Sequence, residues 1–403
     1  MNLLFLTIIK IDDISDRGIY PDLMRKFKNE GHNVFLVTPI ERRYQQKTTL
    51  NRKDNVTLLK IKTLNIQKTN VVEKLVALSM IKYQYLWGIK KYFPEYNFDL
   101  VIYSTPPITF LGLVKYIKVR YGASSYLLLK DIFPQNAVDL GLIKKNGLIH
   151  SYFLNQEKKL YDISDYIGCM SQANVDCLIK NHPEINPQKV EINPNSHELF
   201  DEALTGEQKL SVRRKYKIPS DATVFIYGGN LGKPQGISFV IDFLNSQKQK
   251  TGVFFVIVGT GTEFGRIKSW YDSIQPANMI IQSALPRQEY NLLLQSSDVG
   301  MIFLDNRFTI PNFPSRLLSY LEYKLPILAA TDTSTDLGKI IVENGFGLWS
   351  ESGDLYSINQ NITKLIQSPK LRERMGIQGF NYFVNNYTVD NSYKIIIKHY
   401  NKA

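Results

Sequence analysis

Short apolar runs recur along the chain and alternate with longer amphipathic stretches. The first run, LLFLTIIKI, covers residues 3–11, and a helical periodicity over 19–30 leads to a second run, VFLVTP, at 34–39. Runs without polar alternation are typical of parallel strands that are buried on both faces. The pattern therefore predicts β-α-β units, in which ligands bind at the loops that follow the strands. Because lysine and aspartate interrupt the first run early, it is not expected to be a signal peptide.

The same alternation continues through the chain and predicts two domains. Further strands are expected at 99–107, 126–131, 166–174 and 189–195, and then at 223–232, 254–261, 279–286, 298–304 and 326–331, with an edge strand at 346–352. The polar segment 201–221 is interpreted as a linker, and the length of the chain also suits two cores. We predict two doubly wound α/β domains, 1–200 and 201–384, and a C-terminal helix, 385–403, that can return to the N-terminal domain.

Residues 309–331, TIPNFPSRLLSYLEYKLPILAAT, predict a loop, a short helix and a buried strand in succession. Prolines hold the loop open, and Ser315 is expected to cap the helix with its hydroxyl. The first amides of the helix and the guanidinium of Arg316 would then face one point, as in an anion-binding site. A capped surface helix with a solvated arginine fits the local sequence equally well.

The positive charge of the chain is concentrated in its first half. The sequence has 49 basic and 37 acidic residues, a net charge of +12, and residues 1–200 hold 27 of the basic and 19 of the acidic ones. Such an excess favours an anionic partner: nucleic acid, a phosphorylated small molecule or an anionic membrane surface. The two cysteines, Cys169 and Cys177, have no metal-ligand spacing, which argues against a structural zinc site. No uncharged run is long enough to span a membrane.

Several motifs follow one another in a defined order. They are GHNVFLVTP, KDIFPQNAVDLGL and INPNSHELF in the first half, then YGGNLGKPQG, VIVGTGTE, SSDVGMIFL and FPSRLLSYLEYKLPILA in the second. In this order they resemble family 4 of the GT-B glycosyltransferases, and the resemblance covers nearly the whole chain. It implies two Rossmann-like domains that face a cleft, a nucleotide sugar held mainly by the C-terminal domain, and no requirement for a metal or another cofactor.

The resemblance assigns a phosphate-facing loop to Gly229, Asn230 and Lys233. Most relatives carry a basic residue at the position of Asn230 and a lysine at that of Gln235. Lys233 and Arg316 are therefore left to bind most of the charge of the diphosphate.

The segment VGTGTEFG, residues 258–265, almost fits the G-x-G-x-x-G fingerprint of dinucleotide sites. Its third glycine, Gly265, falls one position late, and the loop follows the second strand of its domain, so the match argues against an NAD site. In the family this loop lies against the nucleotide. Gly259 and Gly261 are therefore interpreted as allowing a close approach of the backbone to the ligand.

The chain departs from the family at two glutamates that relatives usually carry. Pro311 and Ser319 occupy those positions, and Glu322 lies one helical turn beyond the second. Asn312 and the local backbone are candidates for replacing the earlier glutamate. The rest of the donor site is assigned to Leu285, Asn312, Phe313, Pro314, Ser315, Ser319 and Glu322.

In the first half, Asp131 ends the strand YLLLKD, where the family often has a polar residue close to the transferred sugar. The structural alternative is an aspartate that caps the turn before Pro134. Asp16, Arg17 and Gly18 lie in the loop after the first strand and are expected opposite the donor phosphates. His197 and Glu198, just before the linker, are candidates for the floor of the cleft.

Residues 71–93 form a helix-like stretch rich in leucine, aromatic residues and lysine. One interpretation is an amphipathic helix that packs on the sheet. The other is an interfacial face with rings at the depth of the lipid headgroups and basic tips. Its members are Lys82, Tyr83, Tyr85, Trp87, Lys90 and Lys91. We favour the interfacial interpretation because the basic excess lies in this half.

The resemblance implies a retaining, metal-independent glycosyltransferase, and we assign its catalytic residues to Asp131, Lys233 and Arg316. The segment FTIPNFPSRLLSYLEY is similar to transferases of N-acetyl-L-fucosamine, which implies a UDP-sugar donor. The family implies an undecaprenyl-diphosphate-linked sugar as acceptor, capsule or O-antigen synthesis, and a cytoplasmic enzyme on the inner face of the cell membrane. One alternative is a UDP-sugar epimerase of the same fold. A nucleic-acid-binding protein is another, but the dispersed basic residues lack the patterns of such modules.

Overall fold

The computed structural model describes residues 1–66, 69, 71–199 and 203–400. The chain forms two compact units, one of Met1–Glu198 with Val389–Ala403 and one of Leu199–Thr388. Each unit contains a largely parallel sheet whose strands alternate with helices along the chain. The predicted α/β class with two Rossmann-like sheets is confirmed.

The first unit contains an eight-stranded sheet. Its strands are β1 (Asn2–Leu6), β2 (Asn33–Glu41), β3 (Thr49–Lys53), β4 (Val56–Thr63), β5 (Leu100–Ser104), β6 (Ser124–Leu129), β7 (Tyr166–Cys169) and β8 (Val190–Ile192). Its helices are α1 (Ile19–Asn29), α2 (Val71–Tyr92), α3 (Leu111–Tyr121), α4 (Gln135–Asp139), α5 (Leu148–Ile163), α6 (Gln172–Asn181) and α15 (Val389–Ile397). The order is β3-β4-β2-β1-β5-β6-β7-β8, and only β3 runs antiparallel to its neighbour among the pairs described. The sequence analysis predicted neither β3, which is mostly exposed and has no apolar pattern, nor β4, in which lysines interrupt the apolar residues.

Two apolar clusters cover the faces of this sheet. One cluster includes residues of α2, α3 and α5, and the other includes residues of α1 and α15. Side chains of β1 alternate between them: Leu4 and Leu6 join the first cluster, Leu3 and Phe5 the second. The continuous apolar run at the start of the chain thus reflects a strand that is buried on both faces.

Helix α2 turns one face toward the sheet and another toward solvent. Tyr85 is fully buried, and its hydroxyl donates a 2.7 Å hydrogen bond to the carbonyl oxygen of Thr7. The prediction that Tyr85 belongs to an interfacial face is therefore wrong, because it shares the buried face of the helix with Ile81 and Ile89. Among the side chains of this helix that the structure describes, Val76, Met80, Tyr83 and Trp87 are apolar and exposed. No helix in the described part of the chain is long and apolar enough to cross a membrane.

The second unit contains a six-stranded parallel sheet in the order β11-β10-β9-β12-β13-β14. Its strands are β9 (Thr223–Asn230), β10 (Val253–Thr260), β11 (Met279–Gln282), β12 (Val299–Phe303), β13 (Ile327–Thr331) and β14 (Gly347–Glu351). Its helices are α7 (Gly206–Lys215), α8 (Ile237–Gln247), α9 (Phe264–Ile274), α10 (Arg287–Gln295), α11 (Arg316–Glu322), α12 (Leu337–Glu343), α13 (Leu355–Gln367) and α14 (Pro369–Asn386). Strand β14 lies at the edge, as predicted.

Each sheet has a point at which the strand order reverses. In the first unit it lies between β1 and β5, and in the second between β9 and β12. Doubly wound sheets bind ligands at the carboxyl ends of the strands beside such a point. In the second unit those ends lead into residues 231–236 and 304–315, which directs attention to the glycine loop and to the segment before α11.

Candidate functional site

Arg316, the first residue of α11, lies against the end of strand β9. Its guanidinium carbon is 4.2 Å from the centroid of the Tyr227 ring. A Cβ atom built on Gly229 would lie 3.3 Å from Nη2 of Arg316, and Gly229 has a φ of 131°, which favours glycine. A glycine at this position therefore avoids a tight contact between a side chain and the guanidinium.

The guanidinium of Arg316 is only partly satisfied by the protein. Its Nη1 atom is buried and has no hydrogen-bond acceptor in the part of the chain that the structure describes. Leaving a buried donor unpaired costs about 1–3 kcal/mol, and more for a charged group. An oxygen of an anionic ligand would supply the missing acceptor, and a guanidinium binds phosphate oxygens in this way.

Tyrosine hydroxyls fix the backbone around this guanidinium. The amide of Gly228 donates a 3.2 Å hydrogen bond to the hydroxyl of Tyr320, which in turn donates to the carbonyl of Met301. The hydroxyl of Tyr227 donates a 2.6 Å bond to the carbonyl of Asn230. Burial raises the pKa of Tyr320 to about 12, so this hydroxyl keeps its proton at neutral pH. The loop is thereby held to β12 and α11 before any ligand binds.

Gln235 holds the glycine loop from within. Its side chain is buried, and its Oε1 atom accepts hydrogen bonds from the Gly232 amide at 3.2 Å and from Nδ2 of Asn230 at 3.0 Å. The two positions at which relatives carry cations are thus neutral here and bonded to each other. Lys233 begins the turn between them, is exposed, and forms no ion pair among the described residues.

We expect Gln235→Ala to weaken UDP binding roughly tenfold, because the buried Gly232 amide loses its acceptor and the loop loses its shape. Isothermal titration with UDP measures this effect. Gln247→Ala is the matched control, since Gln247 is a buried glutamine of α8 that bonds to Asn359. The control should lower the melting temperature but leave UDP affinity unchanged. Equal losses of affinity in both variants would contradict a specific role of Gln235.

Gly259 and Gly261 make room for neighbouring backbone. A Cβ atom on Gly259 would lie 1.9 Å from the carbonyl oxygen of Gly229, and one on Gly261 would lie 2.4 Å from Leu231. Both glycines therefore allow strand β10 and its loop to approach the loop after β9. Their proposed approach to a nucleotide stays a prediction.

The start of α11 differs from the expected cap. Ser315 is exposed and its hydroxyl makes no capping bond, so the prediction of a side-chain cap is wrong. Ser315 has helical backbone angles, φ −62° and ψ −20°, whereas a capping residue needs an extended conformation. The helix has only seven residues, so the case for an anion here rests on Arg316 and not on the helix dipole.

The residues before Arg316 are held by the loop after β13. The carbonyl of Asn312 accepts a 2.8 Å bond from the hydroxyl of Thr335, while the Asn312 side chain is half-buried. Phe313 is buried with its ring 6.2 Å from that of Tyr387. Pro314 is half-buried and its carbonyl accepts from Leu317. This packing fixes the path of the backbone into α11.

Three other predicted donor residues lie at different distances from Arg316. Ser319 is half-buried one turn further along α11. Glu322 follows Arg316 by six residues, or about 9 Å of helix, and lines a cavity of about 870 Å³ with Lys324 and Arg372. Leu285 lines a separate cavity of about 410 Å³ beside β11. The roles of Ser319, Glu322 and Leu285 in donor binding therefore stay predictions.

Asp131 follows strand β6 in the first unit. Its carboxyl group is half-buried and forms no hydrogen bond or ion pair within the described residues, while its backbone bonds to the Thr105 hydroxyl. Burial raises the pKa of Asp131 to about 6. The hydroxyl of Tyr20 lies nearby, and burial raises its pKa to about 12. A half-buried carboxylate that has no hydrogen-bond or ion-pair partner among the described residues is a candidate for contact with a substrate.

The loop after β1 is tied to helix α1 and to the segment that follows β8. Asp16 is exposed, Arg17 is half-buried, and the amide of Gly18 donates to Asp22 at 2.8 Å. Glu198 forms a 2.7 Å ion pair with Arg25. Glu198 is therefore held in a structural pair, whereas Asp16, Arg17 and Gly18 stay predictions as ligand contacts. His197 is buried and its carbonyl accepts from the amide of Val389.

The sequence analysis missed one pair beside the glycine loop. Asp305 follows β12, and its amide donates a 2.9 Å bond to the carbonyl of Pro234. Its carboxylate binds Arg307 through two hydrogen bonds of 2.8 Å. The alternation of an acid and a base directly after an apolar strand was the available signal. This pair joins the two loops at the reversal point and leaves the exposed Arg307 beside them.

Comparisons with known proteins agree with this picture. Residues 208–382 match the family model described as Glycosyl transferases group 1. A probable glycosyltransferase, WbjE of Pseudomonas aeruginosa, is 24% identical over 277 residues, which are 67% of each chain. The protein is a glycosyltransferase.

Solved structures show the arrangement of its fold. Sucrose-phosphate synthase from Thermosynechococcus elongatus superimposes with a TM-score of 0.77 at 12% identity and covers 99% of this chain and 98% of that one. HepE from Anabaena, solved in complex with UDP, superimposes with a TM-score of 0.70 at 12% identity over 99% of both chains. The enzyme therefore has the GT-B fold. The matched family model spans the sheet of the second unit, including the glycine loop and Arg316.

Proposed function

We propose that the enzyme transfers a sugar from a UDP donor to a lipid-linked saccharide, with retention of configuration and without a metal ion. The observation that carries the proposal is the buried, unpaired Nη1 of Arg316 beside Gly229. A diphosphate offers an acceptor for this donor. The UDP complex of HepE, a protein of the same fold, supports a UDP donor for this enzyme as well.

Arg316 and Lys233 are proposed to stabilise the departing diphosphate. As the bond between the anomeric carbon and the β-phosphate oxygen breaks, negative charge grows on that phosphate, and fixed cations lower its energy most at this stage. The acceptor oxygen forms the new glycosidic bond, and its proton passes to the released diphosphate. No protein nucleophile takes part. The ionised Asp131 accepts a hydrogen bond from a hydroxyl of the transferred sugar.

The identity of the sugar is proposed from the sequence. Similarity of residues 308–323 to transferases of N-acetyl-L-fucosamine supports that sugar, and the neutral positions Pro311 and Ser319 support a donor whose hydroxyls are bound differently from those of most relatives. An undecaprenyl-diphosphate-linked sugar is the proposed acceptor, and surface polysaccharide synthesis is the proposed process. The similarity to WbjE, a probable glycosyltransferase, supports the reaction class.

Transfer of radiolabel tests this proposal directly. The enzyme is incubated with labelled UDP-N-acetyl-L-fucosamine, or with UDP-N-acetylglucosamine and UDP-glucose for comparison, with and without a synthetic undecaprenyl-diphosphate sugar. Label in the lipid phase, dependent on acceptor and undiminished by EDTA, is the expected result. Conversion of the UDP-sugar without acceptor would indicate an epimerase. A requirement for Mn²⁺ or Mg²⁺ would contradict the metal-independent mechanism.

Helix α2 is proposed to dock the first unit on an anionic membrane. Tyr83 and Trp87 are exposed, and Lys82 and Lys91 lie 4.9 and 4.8 Å from their ring centroids. Aromatic rings with basic tips suit the headgroup region of a bilayer. Between Glu73 and Glu95 the sequence has no acidic residue. No carboxylate in this stretch would therefore repel the anionic lipids.

We expect the triple variant Lys82→Glu, Lys90→Glu and Lys91→Glu to lose most of its binding to anionic vesicles. Each lysine near such a surface is worth about 1 kcal/mol, so their loss removes roughly 3 kcal/mol before screening. Flotation with phosphatidylglycerol vesicles at low and high salt measures the effect. UDP affinity should stay at the parent value because the UDP site is assigned to the other unit. If the variant floats as well as the parent does, α2 only packs on the sheet and does not dock the enzyme on the membrane.

A further inference from the structure

A second exposed apolar surface lies in the first unit, between helices α4 and α5. Leu148, the first residue of α5, is 93% exposed, and Leu142 in the preceding turn is 61% exposed. Ile149 and Tyr152 are exposed beside them on the first turns of α5. We define this surface, residues 142–152, as the α5 entry. Aliphatic side chains that are this exposed contribute little to the stability of the fold, and a contiguous group of them indicates a surface that binds a partner.

The α5 entry is held in a defined shape. The amides of Leu142 and Ile143 both donate to the carbonyl of Ala137. The amide of Asn146 donates to Nδ1 of His150, which is buried. These hydrogen bonds hold the backbone that carries the exposed Leu142 and Leu148 in one conformation.

The surface is connected to the proposed acceptor side of the site. Phe133, two residues after Asp131, packs edge-on against Phe153 of α5 with ring centroids 5.0 Å apart. Phe153 follows Tyr152 directly. A partner bound at the α5 entry would thus lie close to the chain segment that carries Asp131.

The charges of this region favour a lipid surface over a protein. Residues 140–156 contain no aspartate or glutamate, and the exposed Lys144 and Lys145 lie between Leu142 and Leu148. The centres of protein interfaces are depleted in lysine, whereas leucine interleaved with lysine is suited to an anionic bilayer. The neighbouring stretch 100–130, which includes α3, also has no acidic residue.

We propose that the α5 entry is the apolar anchor of the enzyme on an anionic membrane. The lysines approach the lipid phosphates while Leu142, Leu148 and Ile149 enter the region below the headgroups. This inference rests on the proposed lipid-linked acceptor, because such an acceptor lies in the same bilayer. It assigns the salt-resistant part of binding to residues 142–152 and the salt-sensitive part to both the lysines here and those of α2.

Vesicle flotation with the full-length enzyme tests the assignment. Vesicles of phosphatidylcholine with phosphatidylglycerol are mixed with the parent, with Leu148→Asp/Ile149→Asp, and with Lys144→Glu/Lys145→Glu. In the first variant two aliphatic side chains can no longer insert into the membrane. We therefore expect its partition coefficient to fall at least about tenfold at high salt. The lysine variant should lose binding mainly at low salt. Tyr356→Asp is the matched control, since Tyr356 is 76% exposed in α13 of the other unit, and it should float like the parent.

Each other outcome has a distinct meaning. If Leu148→Asp/Ile149→Asp floats like the parent while the α2 lysine variant does not, the enzyme docks through α2 and the α5 entry is not the anchor. If the parent fails to float at any salt concentration, the membrane proposal itself fails. If size exclusion shows a dimer of the parent and a monomer of the aspartate variant, the surface joins two copies of the chain, which also overturns the inference. Melting curves and far-UV circular dichroism that match those of the parent show that every variant is folded, and unchanged UDP titration shows that the second unit is unaffected.

Discussion

Arg316→Ala is expected to weaken UDP binding about ten- to hundredfold, which corresponds to the loss of a charge-assisted phosphate contact. The reason is local: the guanidinium offers a buried Nη1 that the described protein groups do not use. Arg316→Lys should recover only part of the loss, because an ammonium lacks the planar pair of donors. Lys233→Ala should cost only a few-fold, since Lys233 is exposed and its charge is screened.

Isothermal titration with UDP measures these affinities, and thermal melting reports on the fold. Arg374→Ala is the matched control, because Arg374 is an exposed arginine of α14 in the same unit. It should bind UDP like the parent. If Arg316→Ala and Arg374→Ala bind UDP equally well, the phosphate assignment is wrong.

Asp131→Asn is expected to lower kcat/KM about ten- to hundredfold at neutral pH, because a neutral amide forms a weaker hydrogen bond to a sugar hydroxyl than a carboxylate does. The pH profile should change as well. Burial raises the pKa of Asp131 to about 6, so the carboxylate is ionised above this pH and protonated below it. Activity of the parent should therefore fall as the pH drops through 6, and the asparagine variant should lack this limb.

The raised pKa of Asp131 affects stability in the opposite direction from activity: stability falls as the pH rises. A carboxyl group whose pKa is raised on folding contributes stability below its unfolded pKa, and this contribution is lost as the pH rises through the folded value of about 6. Asp131→Asn removes the buried charge, so above that pH its melting temperature should equal or exceed that of the parent. Asp176→Asn, at an exposed position of α6, serves as the control and should leave both the pH profile and kcat/KM unchanged. A less stable variant with an unchanged pH profile would assign Asp131 to the turn before Pro134.

The sequence by itself determined the two parallel sheets, because strands buried on both faces leave continuous apolar runs that are independent of their neighbours in space. It also located the glycine loop and the proline-rich entry to α11, since glycine and proline act on the local backbone. Arg316 was identified for the same reason: it directly follows that entry. These features depend on residues that are adjacent along the chain.

Only the tertiary structure decided which side chains meet. Tyr85 and Trp87 lie on one helix and share an aromatic character, but packing against β-strands buried the first and left the second exposed. Ser315 was a suitable cap by residue type, yet in the folded chain it has helical backbone angles and makes no capping bond. Side-chain periodicity describes the faces of a helix, and the neighbouring elements choose which face is buried.

The same limit applies to the site. From the sequence, Gln235 was only a position at which the lysine of most relatives is absent. In the structure its side-chain oxygen accepts two hydrogen bonds within the glycine loop. Glu322 seemed close to the donor residues along the chain, and the direction of α11 carries it to another cavity. Tyr320, in α11, and Asp305, directly after β12, both contact the loop although they are far from it in sequence. Contacts between distant segments depend on how the strands are ordered in the sheet, and local sequence does not encode that order.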